Sequence, residues 1–97
     1  MPEISKLAEL RKLLLGMERA MGLQELSSAE RDVFYAASDI AKSEDNIQTT
    51  GLMRHTLVTD ISRPTFFRAL RSLVEKGYLS HCRNRTRGLY VVNRRDG

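Results

Sequence analysis

The chain has no tryptophan, one cysteine and no long apolar run, and each shortage closes off a class of protein. A single thiol, Cys82, cannot make an internal disulfide, so a disulfide-stapled scaffold is excluded and a reducing compartment is expected. Near the N-terminus the longest apolar run is Leu13-Leu14-Leu15, interrupted by charges on both sides. Neither a signal peptide nor a membrane span fits such a run, and a cytoplasmic protein is expected. His55, His81 and Cys82 match no zinc spacing, and an adjacent His-Cys pair gives two ligands at best, so no metal and no cofactor are expected. No acid–base pair, nucleophile arrangement or phosphate-cradling glycine loop can be assembled, so the chain does not read as an enzyme.

Acidic side chains are scarce at one end only. Residues 1–25 hold four basic and four acidic groups, and residues 26–61 hold three and six. Residues 62–97 hold nine basic groups and two acidic ones, a local net charge of +7 within an overall +4. This asymmetry is the electrostatic footprint of a surface that meets a polyanion. Ninety-seven residues with 41% hydrophobic content allow one small domain and one appended element. No separate sensor domain fits.

The basic end opens with the stretch at 62–77, SRPTFFRALRSLVEKG. Ser62 is a helix cap, Pro64 is tolerated in a first turn where its missing N–H has no intrahelical partner, and Gly77 supplies the stop. Phe66, Leu70, Leu73 and Val74 recur at the spacing of one buried helical face. Arg63, Thr65, Phe67, Arg68, Arg71 and Ser72 fall on or beside the opposite face.

Ahead of it, residues 3–21 form a heptad register, with Leu7, Leu14 and Met21 at one core position and Leu10 and Met17 at the other. Such a helix of about 28 Å must bury its stripe against something. Two covers are open: the same helix of a second subunit, or the helix's own domain, since Ile4, Leu13 and Leu15 widen the stripe. Residues 23–26 read as a connector. Ser27 and Glu30 form a capping box for a helix to about residue 41 that buries Val33, Ala37 and Ile40. Residues 42–46 read as a solvated loop, including Glu44 and Asp45. Residues 47–49 suit a short strand, and a helix over 51–58, capped by Thr49 or Thr50, turns Leu52, Met53 and Leu57 inward. After Gly77, β-rich runs on either side of a polar, glycine-containing link read as a hairpin. Cys82 is a small strand residue there, and Arg83, Arg85 and Arg87 occupy the tip. Arg94 and Arg95 follow the return strand.

The capped basic helix ending in Glu-Lys-Gly, with Tyr78 and Leu79 behind it, resembles the recognition helix of winged helix-turn-helix transcription regulators, MarR-like repressors above all. The resemblance spans residues 26–92 and is strongest over 61–79. Three departures stand out. The turn before the helix lacks the usual glycine and is about two residues longer, the hairpin lacks an Asp-x-Arg motif, and no helix follows it. The resemblance implies a mainly α fold with a small β-wing (α+β): a three-helix core, a two- or three-stranded antiparallel hairpin sheet, and an extra N-terminal helix. It implies a DNA-binding domain at 23–97, while the heptad register, with no helix after the hairpin to supply the contact, makes 1–22 the expected dimerisation element and Leu7, Leu10, Leu14, Met17 and Met21 the residues that hold a homodimer.

Double-stranded DNA is then the expected partner, with the helix at 62–77 in the major groove and the wing at 79–92 on backbone or minor groove. Arg63 and Arg68 are the candidates for base edges, Ser62 and Thr65 for phosphate or base, Arg71 for phosphate, and Pro64 completes the helix entry. Arg83, Arg85 and Arg87 are the wing contacts. Phe67 has three readings: a thymine methyl contact, burial by a rotated helix, or packing under the wing. MarR-like proteins often take small aromatic effectors in a cleft, but a chain this short leads one to expect little cleft. The competing function is a winged-helix protein-interaction module that does not bind DNA, with Phe67 and the N-terminal helix as apolar anchors.

Overall fold

The computed structural model describes residues 2–82 and 88–93, which form four α-helices, a short 3-10 turn and a three-stranded antiparallel sheet, an α+β arrangement. Helix α1 (Pro2–Ala20) is stopped by Gly22, whose φ of 73° lies in the left-handed region. Among the described residues, its buried and half-buried side chains lie in its last third. Leu14 and Leu15 are half-buried and Glu18 is buried, while every residue from 3 to 13 is exposed. Glu18 accepts the Tyr35 hydroxyl and lies 4.0 Å from Arg31 Nε, both on the next helix. No helix among the described residues is long and apolar enough to cross a membrane.

The connector at 23–26 is more than a link. It forms a 3-10 turn (Leu23–Glu25) that buries Leu23 and Leu26 in the core. Helix α2 (Ser28–Ile40) begins with the expected capping box: Ser27 N–H donates to Glu30 Oε1 at 2.6 Å and Glu30 N–H to Ser27 Oγ at 3.2 Å. Its inner face is Val33, Phe34, Ala36 and Ala37. Strand β1 (Ile47–Gln48) runs straight into helix α3 (Thr49–Arg54), and helix α4 (Arg63–Glu75) leads to β2 (Leu79–His81) and β3 (Leu89–Val92). The sheet order is β1-β3-β2, with Ile47 opposite Tyr90 and Leu79 opposite Val92. Its inner side, with Ile47 and Leu79, closes the core formed by α2, α3 and α4, where Val33, Leu52, Phe66 and Leu73 are fully buried. The Phe34 and Tyr78 rings meet edge to face at 5.2 Å.

The second helix of the core departs from expectation at both ends. It starts at Thr49 without a side-chain cap, because the Thr49 hydroxyl instead donates to the Gly88 carbonyl at 3.2 Å. It stops at Arg54, four residues early, because His55 is extended (φ −67°, ψ 140°). Leu57, expected inside, is 44% exposed, and Val58 takes the inward place. The glycine-free turn is organised by the imidazole of His55. Its Nδ1 accepts Leu57 N–H at 3.1 Å while Nε2 lies 2.9 Å from Asp39 Oδ2, tying the turn to α2. That His55 contact holds the Asp39 carboxyl below its ordinary range, against a smaller opposing effect of desolvation.

Candidate nucleic-acid interface

Helix α4 is fixed at both ends by its own sequence. Ser62 Oγ accepts Thr65 N–H at 3.4 Å and donates to Thr65 Oγ1 at 2.9 Å, and Pro64 sits in the first turn. At the other end Gly77 has φ 86°, Tyr78 N–H bonds Leu73 O at 2.9 Å and Gly77 N–H bonds Val74 O at 3.1 Å. This is a Schellman closure with buried Leu73 and Tyr78 as its apolar contact. The chain leaves the helix directly into β2.

With the ends fixed, the helix can present only one face. Phe66, Ala69, Leu70 and Leu73 are buried, while Val74 is only partly so. Arg63, Pro64, Phe67, Arg68 and Arg71 are exposed. Arg63, Phe67 and Arg71 are four residues apart and stand in a row at steps of about 6 Å, with Arg68 on one flank. Among the described residues none of these three arginines has an acidic partner. Phe67 is 45% exposed and its ring meets Phe66 edge to face at 5.0 Å. Burial by a rotated helix is therefore overturned: Phe66 occupies the core and braces Phe67 in an outward position.

Two residues expected on the open face serve the fold. Thr65 is half-buried under its bond from Ser62, and the Ser72 hydroxyl donates to Glu30 Oε2. Glu30 is 6% exposed, and its carboxylate also receives Lys76 Nζ at 3.0 Å on Oε2 and 3.3 Å on Oε1. Burial by itself raises the pKa of this carboxyl. The bonds from Ser27, Ser72 and Lys76 outweigh it and bring the value to about 2. A hollow of about 330 Å³ lies over this cluster, lined by Ser27, Glu30, Thr65, Arg68, Ala69 and Ser72. Its one acid is committed to α2 and to the far end of α4. Sequence reasoning finds the Ser27–Glu30 box but not the Ser72 and Lys76 links, which span 42 and 46 residues.

The expected wing contacts Arg83, Arg85 and Arg87, like Arg94 and Arg95, lie outside the described residues. The strands on either side of them are in place. Cys82 is half-buried and its thiol donates to Asn46 Oδ1 at 3.3 Å, while the His81 ring packs 5.0 Å from that of Tyr90. Asn93 Nδ2 bonds Gly77 O at 2.9 Å and Ser80 Oγ at 2.8 Å, locking β3 to the end of α4.

Of the residues expected at a subunit contact, Leu7, Leu10, Met17 and Met21 are at least half exposed, as are Ile4 and Leu13, while Leu14 is half-buried against its own domain. Contrary to the expectation of little cleft, an open cleft of about 520 Å³ lies where α1 ends, lined by Met21, Leu23, Phe34, Tyr78, Val91 and Val92 with Ser38, Lys42 and Asn93 among its polar groups. No family model matches the chain, and no curated protein or solved structure matches it significantly.

Proposed function

We propose that the protein is a sequence-specific double-stranded DNA-binding transcription regulator of the winged helix-turn-helix, MarR-like type, acting as a homodimeric repressor. The observation that carries this reading is the outer face of α4, where three exposed arginines with no acidic partner among the described residues surround an exposed phenylalanine. Duplex DNA carries one phosphate charge per about 1.7 Å of axis, and cations free of internal partners are the ones able to replace its counterions. In this reading α4 enters the major groove, Arg63 and Arg68 address base edges, Arg71 holds the backbone, and Ser62 and Thr65 set the entry of the helix. Phe67, projecting between Arg63 and Arg71, meets a thymine methyl. The hairpin 79–92 follows the backbone or the minor groove.

The dimer rests on α1. Five large apolar side chains are half or more exposed there, with Met21 just beyond its end, and covering them contributes about 1 kcal/mol each before the entropic cost of association. The same exposed groups support a second reading, a protein-interaction module that leaves DNA alone. Titration of duplexes selected from a random pool separates the two. DNA binding predicts a fall in affinity of about 10³-fold or more between 50 and 200 mM salt for roughly six or more phosphate contacts. Arg68→Ala should relax base preference at a cost of about 1–3 kcal/mol. A flat salt response, or no selected sequence, overturns the reading.

A further inference from the structure

We infer that two copies of the chain pair through α1 in antiparallel orientation, so that the first half of each helix covers the mouth of the other copy's cleft beside Met21. The inference rests on the dimeric part of the reading above and needs no DNA. Residues 3–13 are all exposed, and among them the apolar Ile4, Leu7, Leu10 and Leu13 are each at least 60% so. With Met17 and Met21 they present on the order of 600 Å² of apolar surface, at the upper limit of what a monomer usually carries. A standard interface takes about 800 Å² from each partner. The cleft rim supplies the remainder, because Met21 belongs both to the stripe and to the cleft lining.

The stripe is complementary to itself when one copy is reversed. Leu7 then meets the partner's Met17, Leu10 meets the partner's Leu14, and the two Leu13 side chains face each other at the centre. Ile4 arrives beside the partner's Met21, at the cleft mouth. Macrodipoles of opposite sense lie side by side. A parallel pair is worse in one respect: it sets Lys6 against the partner's Arg11 twice over. The reversed pair keeps one like-charged encounter, between the two Arg11 side chains. It also covers residues 3–13 and the cleft together, whereas the parallel pair leaves both clefts open.

Orientation is read by cross-linking. In a Cys82→Ser background, which keeps a donor toward Asn46, a tagged Met17→Cys chain is mixed with an untagged Leu7→Cys chain and oxidised gently without DNA. The reversed pair predicts that the mixed-size product exceeds either self-product at least tenfold. Two Leu7→Cys positions would then be about 15 Å apart along the helices, beyond the roughly 7 Å limit for a disulfide. A predominant Leu7→Cys self-product, or no cross-linking at all, overturns the proposal. So does a monomer in sedimentation of the unaltered protein at micromolar concentration. Loss of DNA binding with the mixed product intact would remove the regulator reading and leave the antiparallel dimer standing.

Discussion

Helices α1 and α4 both carry apolar side chains at helical spacing, the sharper stripe on α4, and they meet opposite fates. On α4 the stripe is sealed against α2, where Ala36, Ala37 and Ala69 are all buried, and the polar groups at its edge are satisfied by Glu30. On α1 the stripe stays open over its first half, and the helix is attached through half-buried Leu14 and Leu15 and the buried Glu18 under Tyr35. Helical periodicity says that a face needs cover. It does not say whether the cover belongs to the same chain.

The sharpest way to break this contrast is to make one substitution in both places. Leu73→Ala should cost about 2–5 kcal/mol in urea unfolding, as a fully buried leucine leaves a cavity. Leu10→Ala should leave the unfolding of dilute protein nearly unchanged and weaken self-association instead. Equal costs at every protein concentration would mean that α1 is covered from within.

A smaller effect tests the sealed seam through pH. The Glu30 carboxyl titrates near 2 in the folded chain, below its ordinary 4.5. A depressed pKa contributes stability that is fully present above 4.5 and is lost as pH falls toward 2, here on the order of 2–3 kcal/mol. Glu30→Gln should flatten that acid-side decline in a series of thermal melts, and an unchanged slope would show that other carboxyls dominate it. Smallest of all, Ser62→Ala removes one cap from α4 and should cost about 1 kcal/mol, a drop of roughly 4–8 °C in melting temperature for a domain of this size. A change under one degree would make Pro64 and the Schellman end sufficient to hold the helix.

The parts of the fold legible in the sequence were those set by neighbours along the chain. The Ser27–Glu30 box, the Ser62 start and the Gly77 stop each depend on groups within a few residues, and the structure agrees with each within one or two positions. What was not legible depends on distant partners. Thr49 looked like a cap because its hydroxyl had no visible alternative, but Gly88, 39 residues later, provides one. Leu57 looked internal because the helix was extended through His55, whose ring bonds to Asp39 and to the Leu57 backbone instead. Ala69, which is not among the residues read as the inner face, is buried where α4 packs on α2, while Val74 is only partly so. Of the candidate site, the arginines and Phe67 were visible as a face, while Ser72 could be removed from it only once Glu30 was seen beside it.

The Gly88 carbonyl receives both the Thr49 backbone N–H, at 2.9 Å, and the Thr49 hydroxyl. A Cβ at Gly88, whose φ is 81°, would crowd Thr49 Oγ1 at 3.3 Å. One oxygen thereby fastens the start of the hairpin's returning arm to the base of α3, so a side chain placed at Gly88 would disturb strand and helix at once.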